Sequence, residues 1–306
     1  MSDQPAGHDL PPLPEGFTLP FFYGAFTNIG FDYLLHDAGS RQAVEALLHE
    51  DPAGRHLSPA VFEDSVCLSF NYQLYFSQFG SGTAVTQEIE LNVVAHATAE
   101  AARVPRLTYP QYAHGEDQTR TLGFCRIHVA CDNDIAITAG VQLFNEPKHK
   151  AGFQYTLPVP NATTADPKAV DRWKVVCGRY GTAAADGSYS PADTYFSFEA
   201  DLGGLSAQPV SAAPFTEYGS RRVDKEGTSP HHRPLAAPLN VLAPYAWYDL
   251  SEGSDPVGLT LGRADPQQGR SKPFLDLIEG RNPVGAWVYQ SPPVAAQNRP
   301  YWVATT

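Results

Sequence analysis

The chain holds six lysines, and two of them stand in the run Glu146-Pro147-Lys148-His149-Lys150, directly after a strongly apolar stretch. A lysine at the end of such a stretch can reach into a protein interior. Its amine adds to a ketone or oxo acid only in the neutral form. An ordinary ammonium has a pKa of about 10.4, and bringing it near 7 requires roughly 4 kcal/mol of differential destabilisation of the charged form, which burial can supply. On spacing alone the same run also fits a basic surface turn. A second polar group, Glu88, Glu90, Asn92 and His96, alternates with Ile89, Leu91 and Val93. It reads either as a solvated sheet face or as the lining of a cavity, where one carboxylate could orient a substrate or move a proton.

Other chemistries find little support. The chain has no HExxH zinc motif, GxSxG elbow, P-loop or GxGxxG, which removes the common hydrolase and nucleotide readings. Cys125 and Cys131 share a strand face, but six residues of strand put them about 20 Å apart, too far for a disulfide or a shared metal. They read as buried free thiols. His231-His232 has no cysteine or carboxylate at ligand spacing and reads as a solvated pair, so neither a metal nor another cofactor is expected.

The elements that must position these groups are mostly strands. With 27 prolines, 25 glycines and 11% aromatic residues, the composition suits short strands separated by turns. From Val66 to Ser77 the even positions are apolar and the odd ones small or polar, and Gln87 to Ala97 alternates again after Gly80-Ser81-Gly82. The pair predicts a β-hairpin with one polar face. Further strands are expected at 123–131, 135–143, 153–158, 195–201 and 284–290. Helices are few: one over 40–50, capped by Ser40; one starting at Asp166-Pro167 and carrying Val170, Trp173 and Val176; and a short one over 273–279. Residues 1–20, with five prolines, read as an arm on the surface or on a neighbouring subunit. Residues 21–306 read as one mainly β domain with a Pro-rich excursion at 209–244.

The whole chain of 306 residues has 21 Lys and Arg against 33 Asp and Glu, a formal charge of −12. That sign argues against holding a phosphate backbone, so nucleic acid is not an expected partner. No apolar run approaches the roughly 20 residues that cross a bilayer, so no membrane partner is expected. The polar N-terminus lacks the regions of a signal peptide and four cysteines make no disulfide scaffold, which together predict a cytoplasmic setting.

One stretch carries a family resemblance. Asp132-Asn133-Asp134-Ile135-Ala136-Ile137-Thr138-Ala139-Gly140, Val141-Gln142-Leu143 and Pro147-Lys148-His149 resemble, without a gap, the acetoacetate decarboxylase superfamily pattern D-N-x-x-A-I-x-x-G-R-E-L, three residues, P-K-K. More weakly, Tyr33 to Glu90 resembles the first half of that family. The resemblance implies a mainly antiparallel β-barrel or cone with a few peripheral helices, a homo-oligomer, and no cofactor. It places Lys148 at the Schiff-base lysine and Glu88, or Glu90 one pleat away, at the hairpin glutamate.

The chain also departs from the pattern. His149 replaces the second lysine, where it could supply a second positive charge when protonated, and Val141-Gln142 replaces Arg-Glu. Glu146 stands where an aromatic is usual, Gln73 where an acid is usual, and Thr27, Asn28 and Gly30 where the substrate-binding arginine falls. Glu146, two residues from Lys148, would favour the charged ammonium. Two functions follow from these residues. One is a Schiff-base lyase acting on a β-keto or related oxo acid through Lys148, with Glu88 as proton carrier and Lys150 in reserve. The other is a non-catalytic binding protein for an apolar small molecule, in which Lys148 pairs with Glu146.

Overall fold

The computed structural model describes residues 10–80, 82–158, 172–211, 214–221, 232–242, 244–252, 257–261, 265, 268–291 and 295–305. Among them the chain forms β1 (Phe17–Leu35), α1 (Ala38–His49), β2 (Leu57–Pro59), β3 (Val61–Phe62), β4 (Ser65–Gly80), β5 (Thr83–Ala97), α2 (Tyr109–Ala113), β6 (Gly123–Cys131), α3 (Asp134–Leu143), β7 (Lys148–Lys150) and β8 (Gly152–Thr156). There follow β9 (Arg172–Gly178), β10 (Thr194–Asp201), β11 (Gln208–Val210), β12 (Phe215–Gly219), β13 (Leu235–Val241), β14 (Tyr245–Asp249), β15 (Val257–Leu261), α4 (Gln268–Ile278), β16 (Gly285–Ser291), β17 (Ala295–Gln297) and β18 (Tyr301–Trp302). No described helix is long and apolar enough to cross a membrane.

The expected hairpin is present: β4 and β5 pair antiparallel from Leu68 opposite Val93 to Gln78 opposite Thr83. The expected barrel or cone is not. The strands divide between two sheets, and the larger one of fourteen strands runs from β11 through β14, β16, β1, β17, β13, β12, β6, β5 and β4 to β3, with β2, β7 and β18 branching off. It is mixed, because β12 and β7 both lie parallel to β6. The long β1 also pairs with β4. The second sheet has four strands in the order β15, β10, β9, β8. It buries an apolar face of its own against the large sheet, so a separate layer covers that core. The inter-layer contacts are aromatic: Phe198 meets Phe31 at 5.6 Å and Phe70 at 5.8 Å between ring centroids.

Four further expectations change. Residues 135–143 form α3 instead of a strand. A continuous apolar run does not distinguish the two, and the Asn133 side chain decides by accepting from the Ile135 and Ala136 backbone N–H groups as an N-cap. Of the helix expected from Asp166, residues 159–171 lie outside the described ones, while Arg172–Gly178 is β9 with Trp173, Val175 and Cys177 buried at period two. The Pro-rich stretch 209–244 is not peripheral, since it supplies β12 and β13 to the large sheet. His231 lies outside the described residues. The arm stops earlier than residue 20: Phe17 opens β1 and is buried. The four cysteines are free and buried.

Candidate functional site

β6 is the strand around which the polar site is built. β5 flanks one edge, and β12 and then β7 run parallel along the other. Between β5 and β6 the register slips: Leu91 faces His128 but Asn92 faces Arg126, so Ile127 is an extra residue on β6. Such a bulge turns the following side chains to the opposite face. Arg126 therefore joins Glu88, Glu90 and Asn92, while His128, two residues along, points into the apolar side with Leu91. On β7, Lys148 is in register with Val129 and His149 with Ala130, so these two neighbours also part to opposite faces.

Glu146 is fixed by the end of α3. Its backbone N–H donates to the Gly140 carbonyl at 3.0 Å, and Asn145 takes the left-handed conformation (φ 56°) that the turn requires. This aims Glu146 along the same side as Lys148. The Lys148 Nζ is bridged by two carboxylates, Glu88 Oε1 at 2.8 Å and Glu146 Oε2 at 3.1 Å. Arg126 holds three, Glu146 Oε1 at 2.8 Å, Glu90 Oε1 at 2.8 Å and Glu217 Oε1 at 2.6 Å. All of these side chains are buried. Gln73 donates to Glu88 (2.8 Å) and Glu90 (3.0 Å), Tyr75 to Glu88 (2.9 Å), and Asn71 to Glu90 (3.0 Å). Gln297 donates to Glu217 and accepts from the Tyr23 hydroxyl.

The charge states follow from these contacts. Burial by itself would push the Lys148 amine down, but Glu146 and Glu88 outweigh it and raise the pKa well above the ordinary lysine value. Lys148 is a paired ammonium at neutral pH. Burial would likewise raise Glu90, yet Arg126 and the Asn71 hydrogen bond bring it below the usual carboxylate range. Glu217 goes the other way, pushed up to about 7 because burial exceeds what its share of Arg126 returns. His149 is held at about 3 by burial and then by neighbouring His128. It is neutral and faces away from Lys148, so it does not supply the expected second positive charge.

Lys148, Glu146, Glu88, Gln73 and Arg126 line a cavity that, together with its opening to solvent, encloses about 420 Å³. Phe26, Gln73, Glu217 and Leu239 also line a second, mainly apolar cavity that includes Phe124, Tyr245, Trp247 and Trp287 and, together with its opening to solvent, encloses about 980 Å³. The sequence-derived residues thus separate. Lys148, Glu88, Glu146, Glu90 and Gln73 come together, and of the face expected over Glu88–Asn92, Glu88 and Glu90 line the cavities while Asn92 is buried beside them. His149 points elsewhere, His96 lies beyond the pocket at the far end of β5, and Lys150 pairs with Asp134 at 2.8 Å over the Tyr180 ring. Sequence reasoning missed Arg126 and Glu217. An arginine inside strand 123–131, whose other residues apart from His128 are apolar or glycine, was the available signal for the first. Glu217 sat in a stretch read as peripheral.

Gly140 makes room for the pair. A Cβ there would fall 2.4 Å from Lys148 Cδ and 2.6 Å from Glu146 Oε2. Gly140→Ala is therefore expected to cost about 1–3 kcal/mol through overpacking, read as a lower melting temperature. An unchanged melt would mean that the lysine and the glutamate are not pinned.

No protein-family model and no curated protein matches the chain. Solved structures do. An acetoacetate decarboxylase-like enzyme from Sphingomonas wittichii RW1 superposes with a TM-score of 0.53 at 13% identity, covering 94% of each chain. Acetoacetate decarboxylase from Legionella pneumophila gives 0.55 at 12% identity, covering 99% of this chain and 93% of that one. The chain has the acetoacetate decarboxylase-like fold. The enduracididine biosynthesis enzyme MppR, complexed with pyruvate, superposes equally well, with a TM-score of 0.55 at 12% identity over 98% of this chain and 94% of that one. The likeness suggested by the Asp132–His149 motif thus extends, as a likeness of fold, over nearly the whole chain.

Proposed function

We propose that the chain binds an apolar small molecule on its acetoacetate decarboxylase-like scaffold, with Lys148 acting as an ion-pair partner and not as a nucleophile. The observation that carries this reading is the bridging of the Lys148 Nζ by Glu88 and Glu146. An amine held as ammonium by two buried carboxylates has no lone pair to add to a carbonyl. The two cations of the smaller cavity, Lys148 and Arg126, are already matched by Glu88, Glu90, Glu146 and Glu217. The adjoining aromatic cavity supports an apolar body. Gln73 and the partly protonated Glu217, at the junction of the two cavities, suit a hydroxyl or carbonyl end that exchanges hydrogen bonds without charge.

The test is reductive trapping. Incubation with acetoacetate, a longer 3-oxo acid or pyruvate, followed by borohydride, is expected to leave the peptide containing Lys148 unmodified. In the same preparation an apolar ketone should quench tryptophan fluorescence saturably through Trp247 and Trp287. A secondary amine on Lys148, lost in Lys148→Ala, would overturn this reading in favour of a Schiff-base lyase.

A further inference from the structure

On the opposite face of β6 and β7 from the acidic pocket stands a second polar cluster, and it lies between the two sheets. His128 and His149 arrive there through the same bulge and the same alternation that send Arg126 and Lys148 the other way. Their rings lie 4.6 Å apart, centroid to centroid. Asp265, from the segment leading into α4, completes the group: its Oδ2 is 2.9 Å from His128 Nε2 and its Oδ1 is 3.6 Å from His149 Nε2. All three residues are buried. The small sheet closes over them with Phe196, 5.7 Å from the His128 ring, and Tyr195, 6.3 Å from that of His149.

Hydrogen bonding does not account for this group. None of the four ring nitrogens has a hydrogen-bond partner of acceptable geometry, despite the short approach to Asp265. The Val129 backbone approaches His149 closely enough to act on its charge. Buried imidazole nitrogens left in that state are costly. The three donor atoms lie within 4.8 Å of one another. A tetrahedral ion with ligands at about 2.0–2.1 Å separates its donors by about 3.3 Å, and each imidazole Nε2 has one Asp265 oxygen near that distance, Oδ2 for His128 at 2.9 Å and Oδ1 for His149 at 3.6 Å. Two imidazoles and one carboxylate are also the donor set of divalent transition metals, whereas magnesium and calcium prefer oxygen alone. The Ser271 hydroxyl donates to Asp265 Oδ2 at 2.6 Å, the kind of outer contact that orients a ligating carboxylate.

We propose that His128, His149 and Asp265 form a three-ligand site for a divalent first-row transition-metal ion, separate from the Lys148 pocket. The ion ties Asp265 to β6 and β7, and three protein ligands leave one position for water or a small ligand. This inference is independent of what Lys148 does.

The full chain, produced with zinc in the medium and desalted, is expected to carry about one zinc per chain by elemental mass spectrometry. Chelation should lower its melting temperature and added Zn²⁺ restore it. Co²⁺ added to the stripped protein should give the visible absorption of a low-coordinate nitrogen and oxygen site. Asp265→Asn and His128→Gln should each weaken retention by at least ~10-fold. If the variants fold poorly, the stripping and restoration of the wild-type protein decide the matter alone. Wild-type protein with less than about a tenth of an equivalent, and no shift in melting temperature with Zn²⁺ or Co²⁺, would overturn the proposal. Undiminished retention in a folded Asp265→Asn variant would overturn it too, by placing the metal elsewhere.

Discussion

Arg126→Met is expected to lower the melting temperature by about 6–10 °C. The guanidinium is the shared partner of Glu90, Glu146 and Glu217, all within 2.8 Å of it and all buried. Methionine fills a similar volume, so the effect is electrostatic: three carboxylates lose their cation inside the protein. Breaking a buried ion pair from one side costs about 3–5 kcal/mol, and in a chain of this size each kcal/mol shifts the midpoint by about 2 °C. The loss should be partly recoverable. Glu217→Gln in the Arg126→Met background removes one of the stranded charges and should raise the melting temperature above that of the single variant. The cycle of four proteins isolates the coupling. An Arg126→Met protein that melts with the wild type would mean that the network is solvated.

Glu217→Gln is expected to change how stability depends on pH. The Glu217 carboxyl rises from 4.5 unfolded to about 7 folded, mainly through burial. In that window the folded chain keeps a proton that the unfolded chain has released. Its contribution is fully present below pH 4.5, is lost as pH rises through 7, and is on the order of 3 kcal/mol. Asp32, raised by burial to about 6, acts in the same direction. The difference between wild type and variant reads Glu217 by itself. Denaturant titrations from pH 4.5 to 8 should show the wild type losing stability relative to Glu217→Gln as pH rises. Parallel curves across that range would show that Glu217 titrates as an exposed acid.

Local pattern was enough for much of the architecture. The period-two alternation in Val66–Ser77 and Gln87–Ala97 specifies β4 and β5, and the amphipathic stripe of Val44, Leu47 and Leu48 specifies α1. The motif from Asp132 to His149 marked Lys148 and pointed to the fold that the superpositions share. Where an apolar run lacks a period, as in 135–143, the sequence pattern suggested a strand, and one capping asparagine makes it a helix.

What the tertiary structure decided is the chemistry of the charged groups. Glu146 and Glu88 are 2 and 60 positions from Lys148, and nothing in their spacing states that both reach one Nζ. That depends on the α3 turn and on the pairing of β5 with β6. Arg126 meets Glu217 only because β12, drawn from a Pro-rich stretch 91 residues away, lies parallel to β6. The bulge at Ile127 sends Arg126 and His128 to opposite faces, whereas strict alternation would have put both on one. A pKa is set by what surrounds the group in space. The sequence determined that a lysine stands at the motif position, and only the packing of distant strands decided that it is a buried, paired ammonium.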